Sequence, residues 1–120
     1  MSKSATAKTN VVLVDAVRTP FSKAGSLYAG TRADDIMVRC LRGLLERNPN
    51  LPVDQIDDVA IAAATQTGDQ GMNIGRSVSI LAGIPKSVPG YSIDRWCAGA
   101  LTAVTTIAGG INMGAYDLAI

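Results

Sequence analysis

From Trp96 to Tyr116 the chain carries no charged side chain. A run that long must leave water, either in a bilayer or in a protein interior. Thr102, Thr105, Thr106 and Asn112 interrupt it, and Gly99, Gly109, Gly110 and Gly114 thin its apolar surface. These residues argue against a membrane span and predict a helix buried on all sides in a globular protein. The preceding run, Val88 to Ile93, reads as a strand. A strand that passes through a short turn into a buried helix is a unit of α/β architecture.

The rest of the chain alternates in the same way. Val11-Val12-Leu13-Val14, within Asn10 to Ala16, predicts a first, buried strand. Pro20, Gly25 and Gly30 punctuate a loop. Thr31 with Asp34 three residues on reads as a variant capping box, and Ile36, Met37, Cys40, Leu41, Leu44 and Leu45 repeat at helical spacing. Asn48-Pro49 stops that helix. Asp57 to Ala64 predicts a strand of small residues; Ile74, Val78, Leu81 and Ala82 define a second helix closed by Gly83 and Pro85. A third helix is expected from Cys97 to Met113 with Gly114 as its C-cap, and a fourth strand from Tyr116 to Ile120. The expected order is β-α-β-α-β-α-β, which argues for a sheet with helices on its faces. The sequence stops inside an apolar strand without cap, charge or turn, so a truncated piece of a longer polypeptide is expected.

With 48% hydrophobic residues and a net charge of +1, the 120-residue chain has the composition of a globular domain or part of one, not of a disordered segment. Near-neutral charge and 4% aromatic residues give no footprint for nucleic acid. Residues 1–10, MSKSATAKTN, lack an apolar core and read as a disordered leader rather than a secretory signal. Two lysines without arginine make a poor mitochondrial presequence, so a cytoplasmic location is expected ahead of a mitochondrial one. Two cysteines are too few for a disulfide framework.

The chemistry concentrates at Cys97. Its position between a strand and a helix faces the thiol with unpaired backbone N–H groups and the positive end of the helix dipole, which favours the thiolate. Ala98, Gly99 and Ala100 leave room for close approach. Cys97 is therefore the candidate nucleophile. Arg95 either supports the thiolate or anchors the turn. Cys40, on an apolar helix face, reads as a small core residue. Gly68-Asp69-Gln70-Gly71 matches no phosphate-binding pattern and reads as a loop entering a helix. Asp57-Asp58 are adjacent, so an extended backbone would aim their carboxylates at opposite faces, and a solvated turn is expected there rather than an acid–base pair. With no histidine in the chain, no metal site is expected.

Three ordered segments together resemble the amino-terminal part of the thiolase family. They are Val14-Asp15-Ala16-Val17-Arg18-Thr19-Pro20-Phe21, then Gly68 to Asn73 followed by a helix and Leu81-Ala82-Gly83-Ile84-Pro85, and then Asp94-Arg95-Trp96-Cys97-Ala98-Gly99-Ala100-Leu101. Asp94 stands where the family usually has Asn, and Gly99-Ala100 where it usually has Ser-Gly. The resemblance implies the amino-terminal part of a layered α/β/α/β/α fold over residues 11–120. It implies acyl transfer to coenzyme A, with Cys97 as the acyl-accepting cysteine. Coenzyme A would be a substrate, so no bound cofactor is required. The implied ligands are acyl-CoA and coenzyme A; the implied partner is another copy, in a homodimer or homotetramer. Degradation of fatty acids or sterol side chains is expected ahead of acetoacetyl-CoA synthesis. The family's histidines and second cysteine lie in its carboxy-terminal half, so the isolated 120-residue chain is expected to be inactive. Two alternatives stay open: a condensing enzyme of the ketoacyl synthase type using the same cysteine, and a structural piece without turnover.

Overall fold

The computed structural model of the chain describes residues 10–120. The leader expected over residues 1–10 lies, except for Asn10, outside the described residues. Three helices and two parallel strands follow in the order α1 (Ala33–Arg47), β1 (Ala60–Ala62), α2 (Ile74–Ala82), β2 (Tyr91–Ile93) and α3 (Gly99–Asn112).

β1 and β2 pair in parallel, Ala60 opposite Tyr91, Ile61 opposite Ser92 and Ala62 opposite Ile93. On the other edge of β1 runs the C-terminal segment. Asp57 N–H donates to Leu118 O at 2.8 Å, Ala60 N–H to Ile120 O at 2.7 Å, and Ile120 N–H to Asp58 O at 3.1 Å. The expected fourth strand is thus present as a parallel bridge, Asp58 to Ala119, at the margin of the sheet.

The period of two along β1 sorts its side chains. Val59, Ile61 and Ala63 join Val38 and Leu41 of α1 and Ile74, Val78 and Ala82 of α2 in one buried core. Ala62 faces α3 instead, where its Cβ lies 3.0 Å from the point a Cβ on Gly99 would occupy. Helices therefore cover both faces of the sheet. The α2–β2 contact is closer still: a Cβ on Gly75 would fall 2.0 Å from Tyr91 O, and one on Gly90 would fall 2.9 Å from Gly75 O. Asn73 locks this approach. It caps α2 in left-handed backbone, donates through Nδ2 to Gly90 O at 3.0 Å and accepts from the Ser92 hydroxyl at 3.1 Å. At the far end Gly83, at φ +101, terminates α2 as its position predicts.

Apart from element boundaries, four expectations change. The strand expected over Asn10 to Ala16 does not form among the described residues; the segment has no ladder partner, and Leu13 and Val14 are about four-fifths exposed. β propensity cannot make a strand without a neighbour to bond. The cap of α1 is not Thr31. The helix starts after Arg32, which pairs with Asp34 at 2.7 Å, and the Ala33 N–H donates at 2.6 Å to Asp69, thirty-six residues downstream. α3 is not enclosed on all sides among the described residues: Gly99 and Ala103 are buried, while Leu101 and Val104 stay exposed. An open groove of about 630 Å³, lined by Val11, Leu13, Met37, Ile61, Ala103 and Ile107 among others, runs beside it.

Asp57 and Asp58 are the fourth change. They form no solvated turn but fasten the C-terminal segment. Asp57 Oδ2 accepts the N–H groups of Asp117 and Leu118 at 2.7 and 3.1 Å, while buried Asp58 accepts the Tyr116 hydroxyl at 3.1 Å. The two backbone donors, Asp117 first, hold the Asp57 carboxyl below its ordinary value of 3.8. The bond to Asp58 and its charge raise the Tyr116 phenol above 10.0; burial first, then Asp58, raises Tyr91. A lowered carboxyl stabilises the fold above its unfolded value, and that contribution is lost as pH falls through the folded one. A raised phenol stabilises below its unfolded value, and that contribution is lost as pH rises through the folded one. Melting temperature should therefore fall below about pH 4 and again above about pH 10. In pH-resolved melts Asp57→Asn should flatten the acid limb and Tyr116→Phe the alkaline limb. Unchanged limbs in both variants would contradict these assignments.

Candidate active site

β2 delivers the chain to Cys97. After Ile93, whose carbonyl accepts Ala63 N–H at 3.0 Å, Asp94 and Arg95 leave the sheet. Trp96, Cys97 and Ala98 then make one tight 3-10 turn, and α3 begins at Gly99. Cys97 thus lies just beyond the carboxyl end of a parallel strand, where open α/β sheets place their ligands. Its side chain is free and exposed, and the next residues are small. The expected start of α3 at Cys97 shifts by two residues, because the backbone tightens into the 3-10 turn first.

The turn is held from several sides. Asp94 Oδ1 accepts the Trp96 N–H at 3.3 Å, and the Arg95 carbonyl accepts the Ala98 N–H at 3.0 Å. The Arg95 guanidinium donates to the Thr102 hydroxyl at 3.2 Å, and that hydroxyl donates to Ala98 O at 2.9 Å. Of the two roles open to Arg95, this bond is the anchoring one. Thr102 was not legible as a partner, since any polar residue on the first turns of α3 would read alike. Gly99 seats the helix start against Ala62, because only a residue without Cβ fits that contact without displacement.

The other singled-out residues fall elsewhere. Cys40 is half-buried on α1, its Sγ 3.7 Å from Val17 O. Gly68–Gln70 forms a 3-10 turn whose Asp69 serves α1. Among the described residues no group of three or more His, Cys, Asp or Glu side chains is placed to hold a metal ion, and no helix is long and apolar enough to cross a membrane. None of these 120 residues is a histidine, so no imidazole stands beside Cys97 among the described residues.

The arrangement defines an α/β protein that presents a thiol on the turn from a parallel strand into a helix. The family described as thiolase, N-terminal domain, matches residues 11–120, and the chain belongs to the thiolase family. It is 39% identical over 112 residues to the 3-ketoacyl-CoA thiolase of Aliivibrio salmonicida, covering 92% of this chain and 29% of that protein. It is 40% identical over 111 residues to the beta-ketoadipyl-CoA thiolase of Pseudomonas putida, covering 92% of this chain and 28% of that one. Its fold matches the crystal structure of the Bacillus anthracis acetyl-CoA acetyltransferase with a TM-score of 0.83 at 27% identity, over 92% of this chain and 27% of that chain. The thiolase-like α/β fold expected from the sequence is thereby shown. The chain spans less than a third of the length of these relatives.

Proposed function

We propose that the protein is an acyltransferase that cleaves 3-ketoacyl-CoA with coenzyme A, through a thioester on Cys97. The observation that carries this reading is the exposed Cys97 on the strand-to-helix turn of a thiolase-family chain. The Cys97 thiolate attacks the 3-keto carbon. The C2–C3 bond breaks, its electron pair leaves on C2 of acetyl-CoA, and that carbon takes a proton. The shortened acyl group stays on sulfur until the thiolate of a second coenzyme A attacks its carbonyl and returns Cys97 as thiolate. A thiol suits this exchange because it is a better nucleophile near neutral pH than an alcohol and leaves readily from a thioester. The proton donor and base come from outside these 120 residues, which hold no histidine. Coenzyme A enters as substrate, and no bound cofactor takes part.

Both relatives quoted by sequence are named thiolases, which favours cleavage over the condensing direction of a ketoacyl synthase. Fatty-acid chains are the substrate class we favour, and β2, an edge strand among the described residues, is a candidate contact for a second copy in a homodimer or homotetramer. The test is thiolysis of acetoacetyl-CoA by the natural protein, with and without brief iodoacetamide treatment. The expected result is CoA-dependent cleavage that alkylation of Cys97 abolishes and acetoacetyl-CoA protects. Cleavage that survives full alkylation of Cys97 would overturn the reading.

A further inference from the structure

Trp96, the residue before the thiol, has φ +48. A bulky L-residue rarely adopts left-handed backbone, and such outliers persist only where their surroundings impose them. The indole itself does not impose it, since Trp96 is 78% exposed. What grips this residue directly is Asp94, whose Oδ1 accepts the Trp96 N–H at 3.3 Å across the turn. Downstream, the backbone is fixed by the Gly99–Ala62 contact and by the Arg95–Thr102–Ala98 bonds. Cys97 sits between these two clamps.

We propose that Asp94 is a positioning residue: it holds Trp96 in left-handed backbone and thereby aims the Cys97 thiol at the acyl carbon. This rests on Cys97 being the acyl acceptor. An attacking atom out of line by even about 1 Å can slow reaction by about 100-fold, so a turn that relaxes should cost rate without hiding the sulfur.

The proposal separates three substitutions. Alanine at 94 removes the acceptor. Asparagine keeps an oxygen that accepts the Trp96 N–H but removes the charge. Glycine at 96 reaches positive φ without strain, so the turn no longer needs the grip of Asp94. In the natural full-length protein, single-turnover acylation by acetoacetyl-CoA should fall about 10- to 100-fold in Asp94→Ala, through kcat rather than KM. Alkylation by iodoacetamide, which needs access more than alignment, should stay within about threefold of the parent. Asp94→Asn should recover most of the acylation rate. In a Trp96→Gly background, adding Asp94→Ala should cost less than about threefold. Parental acylation in Asp94→Ala, an equal loss in the Asn variant, or an undiminished loss in the Trp96→Gly background would each overturn the proposal. An unmodified protein that never acylates Cys97 would remove the functional reading itself, a result distinct from all three.

Discussion

Replacing Cys97 with serine should abolish the acyl-enzyme and lower thiolysis by at least about 10³-fold, because it removes the covalent route rather than one contact along it. The fold should tolerate the change. Cys97 is exposed on its turn, and serine is nearly isosteric, so melting should move little. Cys40→Ala should give the opposite pattern: full activity, with on the order of 1 kcal/mol lost from packing at its half-buried site on α1. Steady-state rates and thermal melts on the two variants separate these roles. An active Cys97→Ser protein would show that the thiol does not carry the group.

Gly75→Ala should be the most damaging single methyl in the chain's described core. The new Cβ would fall 2.0 Å from Tyr91 O and 2.5 Å from Tyr91 C. Both atoms are backbone of β2, so no side chain can swing aside. Either α2 lifts from the sheet or β2 shifts and carries the Asp94–Cys97 turn with it. Overpacking of this kind should cost about 3 kcal/mol or more. Gly43 in α1 is the control, with nothing within 4 Å of its would-be Cβ. Gly43→Ala should stabilise by ~0.5–1 kcal/mol through helix propensity. Denaturant midpoints measure both. A Gly75→Ala protein as stable as the parent would contradict the close α2–β2 approach.

The helices were legible because each carries its own local signals. α1 has its apolar repeat and Asn48, α2 ends at Gly83, and α3 itself carries no charged residue. The placement of Cys97 on a turn from strand into helix was legible for the same reason: strand, turn and small residues are contiguous around it. What escaped depends on residues far apart in the chain. Asp69 caps α1 across thirty-six positions, and buried Asp58 accepts the Tyr116 hydroxyl across fifty-eight. No window of sequence shows either pairing. The Val11–Val14 segment has the composition of a strand, but a strand also needs a partner alongside, and it has none among the described residues. The left-handed Trp96 left no trace because glycine and asparagine, the residues that advertise positive φ, are absent from that position.

The most direct measurement is the location of the acyl group. The natural protein is mixed with acetoacetyl-CoA without free coenzyme A, quenched in acid, digested, and its cysteine peptides are weighed by mass spectrometry. One added acetyl group is expected on the peptide bearing Cys97 and none on the peptide bearing Cys40, and the group should be lost when coenzyme A is added before the quench. An acetyl group on Cys40, or an unmodified Cys97 in a protein that turns the substrate over, would contradict the assignment of Cys97 as the acyl acceptor.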